Sequence, residues 1–77
     1  YDKIDLLFID GNHGYEFVKK DYDLWSPLVV SGGSIILHDV KARHVTGPKL
    51  VFQECIAENS MWKNVRIVGE MAVAEKC

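Results

Sequence analysis

Two apolar runs and a periodic segment between them organise the first half of the chain. Within residues 3–10, the run at 6–9 is continuously apolar, which is typical of a strand buried on both faces of a parallel sheet. Across residues 15–26 apolar side chains recur every three or four positions, and this spacing predicts an amphipathic helix that Pro27 ends or distorts. The stripe predicted to face the core contains Val18, Tyr22 and Trp25.

The next segment predicts a second strand parallel to the first. Residues 31–33, Ser-Gly-Gly, are expected to form a turn into the apolar run 34–37, which closes on His38 and Asp39. Strand, helix and strand form a βαβ unit, and such crossovers are almost always right-handed with parallel strands. Asp10, His38 and Asp39 should therefore emerge at the same edge of the sheet, where ligands of open α/β sheets bind.

The second half predicts a helix and a hairpin. Residues 41–46 are polar and read as a loop, and a helical pattern follows from Pro48 to about Asn59. Two short strand-like runs, 64–68 and 71–75, are separated by Gly69-Glu70, a connection suited to a type II′ hairpin. The predicted order is β-α-β-α-β-β in one α/β domain over residues 1–77.

Composition and charge narrow the class of protein. Seventy-seven residues leave no room for a second core. The chain has nine Lys and Arg residues against eleven Asp and Glu residues, and the basic residues form no stripe. This pattern argues against a nucleic-acid partner or an anionic membrane surface. No apolar run approaches the roughly 20 residues of a membrane span, and no secretory start is present. Cys55 and Cys77 show no metal-ligand spacing. A cytoplasmic protein is expected.

The candidate chemistry lies at the two predicted strand ends. Asp10, His13, His38 and Asp39 combine carboxylate oxygens, which bind hard divalent ions, with imidazoles, which transfer protons near neutral pH. Together they could hold a metal ion and a general base. The alternative is that the aspartates cap turns or helix starts and that the histidines are ordinary loop residues.

A second alternative rests on residues 11–13. Gly-Asn-His matches one fragment of the metallophosphoesterase signature, in which it belongs to a two-metal site. The other motifs of that family have no counterpart in the sequence. This interpretation predicts phosphodiester hydrolysis with added manganese.

The ordered motifs resemble one known family more fully. The strings FIDGNHGY at 8–15, LWSPL at 24–28 and GGSIILHDV at 32–40 resemble the second half of class I S-adenosylmethionine-dependent methyltransferases, closest to methyltransferase domain family 24. Gly47-Pro48 through Glu54 continues the match, so that the resemblance covers nearly the whole chain.

The resemblance implies a Rossmann-like fold and a partial domain. The family sheet has the strand order 3-2-1-4-5-7-6, and this chain would supply strands four to seven. The glycine-rich loop and the acidic residue that hold S-adenosylmethionine would precede Tyr1, so the chain alone is not expected to bind the cofactor well. The start at Tyr1 rather than Met agrees with a piece of a longer protein.

The resemblance also implies roles for the candidate residues. In metal-dependent relatives the position of Asp10 carries the first carboxylate ligand of Mg²⁺ or another divalent metal, beside the cofactor. His38 and Asp39 match the second pair, which is acidic or Asp-Asn in those relatives, so His38 departs from the pattern. His13 matches the proposed general base of related sugar O-methyltransferases.

Two functional hypotheses follow. The first is O-methylation of a sugar or another small hydroxylated metabolite by the protein that contains this chain. The second is a non-catalytic half-domain that forms homo-oligomers through the exposed edge of the strand at 3–10, since unpaired strand edges recruit partners.

Overall fold

The computed structural model describes residues 3–9, 14–38, 40 and 47–77. These residues form a four-stranded sheet with helices against one face. The elements are β1 (Ile4–Ile9), α1 (Tyr15–Trp25), β2 (Val29–His38), α2 (Gly47–Val51), β3 (Trp62–Val68) and β4 (Met71–Lys76).

The sheet has the strand order β1-β2-β4-β3. β1 and β2 are parallel, whereas β4 runs antiparallel to both β2 and β3. The predicted α/β class, the parallel first pair and the antiparallel hairpin are confirmed. Gly69 has φ +61, as the first central residue of the predicted type II′ turn requires. Within the described sheet, β1 is an edge strand.

One face of the sheet is buried beneath the helices. Ile35 and Leu37 on β2 and Ala72 and Ala74 on β4 are almost inaccessible to solvent, because they alternate toward the side where α1 and α2 pack. α1 contacts β1 and α2, and α2 contacts β2. The intervening residues of β2 and β4 point to the other face and are half-buried.

A polar and aromatic cluster joins the hairpin to the helices. The Trp62 indole Nε1 donates to the Tyr22 hydroxyl over 2.9 Å, and this hydroxyl donates to the Cys55 carbonyl over 3.4 Å. Lys76 Nζ donates to the Ser26 carbonyl over 3.0 Å and lies 5.3 Å from the Trp62 ring centroid. These contacts fix β3 and β4 against the end of α1.

The helix prediction for residues 15–26 is confirmed, with one error on its buried stripe. α1 ends at Trp25, and a 3₁₀ turn at Ser26–Leu28 contains Pro27. Val18 and Tyr22 are buried as expected, but Trp25 is 37% exposed. Trp25 is the last residue of α1, and its φ of −101 and ψ of −28 depart from regular helical values just before the 3₁₀ turn begins.

The predicted turn at residues 31–33 is wrong. These residues belong to β2, where the register moves from Ile4 opposite Val29 to Leu6 opposite Ser34. Two steps along β1 thus match five steps along β2, so three extra residues of β2 form an irregular bulge. Gly32 adopts φ +85 within it.

The second helix is shorter than predicted and changes type. α2 covers Gly47–Val51 and continues as a π-helical segment, Phe52–Ile56, instead of a single α-helix to about Asn59. No helix among the described residues is long and apolar enough to cross a membrane.

Candidate functional site

The carboxyl ends of β1 and β2 lie side by side. The parallel register pairs Ile9 with Leu37, so the residues that follow each strand start from the same edge, as predicted. His38 is the last residue of β2 and is half-buried. The other predicted site residues, Asp10, His13 and Asp39, lie outside the described residues, as does the Gly-Asn-His segment at 11–13.

His38 lies on the more accessible face of the sheet. It pairs with Met71 of β4, and strand alternation places it on the same side as Ile36 rather than with the buried Leu37. An imidazole on this face can bind a ligand through a ring nitrogen. In the part of the chain that the structure describes, no three His, Cys, Asp or Glu side chains are grouped as metal ligands.

The turn between β3 and β4 belongs to the same edge. Because β4 is antiparallel to β2, the start of β4 lies beside the end of β2. The Val40 amide donates to the Glu70 carbonyl over 3.1 Å, and the Glu70 side chain is exposed. The sequence predicted the hairpin, but not that Glu70 lies at this edge of the sheet. The signal that could have shown it was the family strand order, in which the seventh strand lies next to the fifth.

The start of α1 is anchored to the π-helical segment. Gly14 is the N-cap residue and offers no side-chain hydrogen bond. Instead the Tyr15 hydroxyl donates to Glu54 Oε1 over 2.6 Å. This hydrogen bond to a carboxylate raises the pKa of Tyr15, because it stabilises the protonated phenol. The contact fixes the first turn of α1, which follows the segment that carries Asp10 and His13.

A shallow concavity lies along α1. Side chains between positions 15 and 24 of that helix line the concavity. They include Lys19 and Asp23, which form an ion pair with 2.8 Å between Nζ and Oδ1. Exposed ion pairs of this kind contribute little to stability. The strand edge, at which the predicted site residues were expected to meet, remains the candidate site.

Comparison with known proteins gives a match over the part of the chain that leads to the candidate strand edge. Residues 1–40 match the family described as Methyltransferase domain; the matched residues include β1, α1 and β2. The family match covers the Gly-Asn-His segment as well, which favours a methyltransferase context over a metallophosphoesterase for those residues.

Two relatives match over a similar length. An uncharacterized protein of Sinorhizobium fredii is 38% identical over 40 residues, which are 52% of this chain and 4% of that protein. An uncharacterized protein of Acanthamoeba polyphaga mimivirus is 47% identical over 36 residues, which are 47% of this chain and 16% of that protein. The matched residues are therefore a small part of each relative.

Proposed function

This chain belongs to the methyltransferase domain family, and from that premise we propose that the protein containing it methylates a hydroxyl group of a sugar or another small hydroxylated metabolite. The observation that carries the proposal is the family match over residues 1–40, combined with the parallel pair β1 and β2 whose carboxyl ends form one edge. S-adenosylmethionine, the cofactor of such methyltransferases in general, is the proposed methyl donor.

The strand order supports the assignment of this chain to the second half of the family domain. If β1, β2, β3 and β4 are numbered four, five, six and seven, the observed order becomes 4-5-7-6. This is the corresponding part of the order that the resemblance implies. The crevice at the ends of β1 and β2 is then the proposed acceptor side of the domain.

The proposed mechanism assigns proton transfer to this chain. S-adenosylmethionine, when bound, supplies an electrophilic methyl group. As the acceptor oxygen would bond to the methyl carbon, the carbon–sulfur bond would break and the thioether would leave; the hydroxyl must lose its proton, and His13 is the proposed base that takes this proton on an imidazole nitrogen. Asp10 orients the cofactor, and His38 with Asp39 completes the polar edge that holds the acceptor.

A divalent metal at this edge is a further part of the proposal. Asp10, His38 and Asp39 would hold it, and a bound ion would lower the pKa of an acceptor hydroxyl. An imidazole among the ligands suits a transition metal such as zinc better than magnesium. Isothermal titration with each metal tests this, and His38→Ala should weaken the preference for the transition metal; equal binding of both metals by the unchanged protein contradicts it.

The test of the catalytic proposal is transfer of a labelled methyl group by the natural protein that contains these residues. His13→Ala is expected to lower turnover at least about tenfold, with cofactor binding retained. His44→Ala is the matched control, because it removes the one histidine of the sequence to which the proposal assigns no role. Its turnover should be unchanged. Normal turnover by His13→Ala would remove the base assignment.

One observation favours a second function, self-association. β1 is an edge strand of the described sheet, and its Leu6 and Phe8 side chains are 56% and 52% exposed. An apolar edge strand can pair with a second copy of the chain. Sedimentation velocity should then detect oligomers that Phe8→Ser weakens and Phe17→Ser, the control on α1, does not. A monomer at all concentrations contradicts this function.

A further inference from the structure

The end of β2 is held by the turn between β3 and β4. His38 is paired with Met71, the first residue of β4, and the Val40 amide donates to the Glu70 carbonyl over 3.1 Å. Val40 is only 5% exposed. The chain is thus attached to the hairpin both immediately before and immediately after position 39.

The geometry of this turn depends on Gly69. Val68 pairs with Met71 across a two-residue connection, and Gly69 adopts φ +61, a conformation that L-residues disfavour. A Cβ atom added at Gly69 would meet no atom within 4 Å. Substitution by alanine would therefore act through the backbone conformation, which sets the direction of the Glu70 carbonyl, and not through a steric clash.

Gly32 provides a matched comparison. It also has a positive φ, +85, and a Cβ added there would likewise meet no atom within 4 Å. Gly32 lies in the bulge toward the amino end of β2, whereas His38 is its last residue. Comparing alanine substitutions at the two glycines therefore distinguishes a general effect of backbone strain from an effect of strain at the candidate edge.

We propose that the Gly69-Glu70 turn is a positioning element of the acceptor site, resting on the function proposed above. The turn fixes His38 and Val40 at the edge formed by the carboxyl ends of β1 and β2. It lies beyond residues 1–40, which match the family, so it is a contribution of the second half of the chain. Glu70 acts through its backbone carbonyl, and Gly69 acts through its φ angle.

The structural test uses the natural protein that contains these residues, assembled by ligation of a synthetic segment that carries glycine, alanine or D-alanine at position 69. D-Alanine has the same atoms as alanine but favours positive φ. Gly69→Ala should accelerate hydrogen exchange of the Val40 amide about tenfold and shift the His38 imidazole resonances, whereas D-alanine should preserve both. Gly32→Ala should leave both unchanged. Equal effects of Gly69→Ala and Gly32→Ala on Val40 and His38 would overturn the proposal.

The functional test uses the natural protein that contains these residues. Gly69→Ala should lower kcat for methyl transfer at least about tenfold with the KM for S-adenosylmethionine unchanged, and Gly32→Ala should not. Unchanged kcat in Gly69→Ala overturns the positioning role. Absence of methyl transfer by the unaltered protein would overturn the proposed function instead, and the Val40 and His38 measurements would then decide the positioning inference alone.

Discussion

Two tyrosine hydroxyl groups of α1 make hydrogen bonds to the π-helical segment at different depths. The Tyr22 hydroxyl, on a residue that is 7% exposed, accepts from Trp62 and donates to the Cys55 carbonyl. The Tyr15 hydroxyl donates to Glu54 at the surface. Because unsatisfied polar groups are costly only where water cannot replace the lost partner, the two bonds should differ in their effect on stability.

Tyr22→Phe is therefore expected to lower the free energy of unfolding by about 1–3 kcal/mol, because the buried Trp62 indole N–H loses its acceptor. Tyr15→Phe is the matched control and should cost less than about 1 kcal/mol, since water can solvate Glu54. Urea denaturation measures both, provided that the m-values agree. A larger loss in Tyr15→Phe would contradict this account.

The same hydroxyl groups predict a loss of stability at alkaline pH. The pKa of Tyr15 is raised chiefly by its hydrogen bond to Glu54, and the pKa of Tyr22 chiefly by burial. Both shifts favour the protonated phenol in the folded state. Their contribution is therefore complete below the unfolded pKa of about 10 and is lost as pH rises through the higher folded pKa.

Urea unfolding at a series of pH values, combined with ultraviolet titration of tyrosinate, checks this prediction. The free energy of unfolding should decline above about pH 10, and Glu54→Ala should bring the ionisation of Tyr15 back toward its ordinary pKa. Stability that increases over the same alkaline range would show that the sign is wrong.

Among the elements, β2 contains a bulge with a specific sequence requirement. Its bulge absorbs the difference between five residue steps on β2 and two on β1. Gly33 lies there in close contact with backbone, since an added Cβ would be 2.9 Å from the Val30 carbonyl and 3.0 Å from the Asp5 carbonyl. Backbone atoms cannot move aside as a flexible side chain can, so the bulge requires glycine.

Gly33→Ala should consequently destabilise the chain by about 1–3 kcal/mol, as overpacking in a close-packed region does. Gly14→Ala is the control: an added Cβ meets no atom within 4 Å there, and loss of the glycine N-cap should cost no more than about 1 kcal/mol. Thermal and urea unfolding of the two variants measure the difference. Equal stabilities would mean that β2 can shift away from β1 without cost.

For the whole molecule, the sheet order predicts a gradient of local stability. β2 and β4 are the inner strands, while β1 and β3 are at the edges of the described sheet. The buried core residues Ile35, Leu37, Ala72 and Ala74 are on the inner strands. Inner strands with buried side chains open only in the largest unfolding events.

Hydrogen exchange followed by mass spectrometry should therefore be at least about tenfold slower in peptides from β2 and β4 than in those from β3. Protection of β1 from exchange tests self-association separately. It should increase with protein concentration if the β1 edge pairs with a second copy, and it should be independent of concentration otherwise. Slowest exchange in β3 would contradict the packing described above.

The sequence by itself determined the order of elements, the parallel pairing of the first two strands and the shared edge at which His38 lies. These features follow from local rules: periodicity selects helix or strand, Pro27 ends the helix, and a helical crossover returns the chain to the same end of the sheet, so that the second strand runs parallel to the first. The family motifs at residues 1–40 were readable for the same reason, since they are contiguous along the chain.

Only the tertiary structure decided the bulge in β2, the π-helical segment, the exposure of Trp25 and the bond between Val40 and Glu70. The bulge and the Val40 bond depend on contacts between residues distant in sequence: the bulge on the register against β1, and the bond on β4 lying beside β2. Local preferences do not encode such register, because it is set by which apolar faces pack together. The positioning of the site edge by a turn thirty residues later is thus a property of the folded sheet.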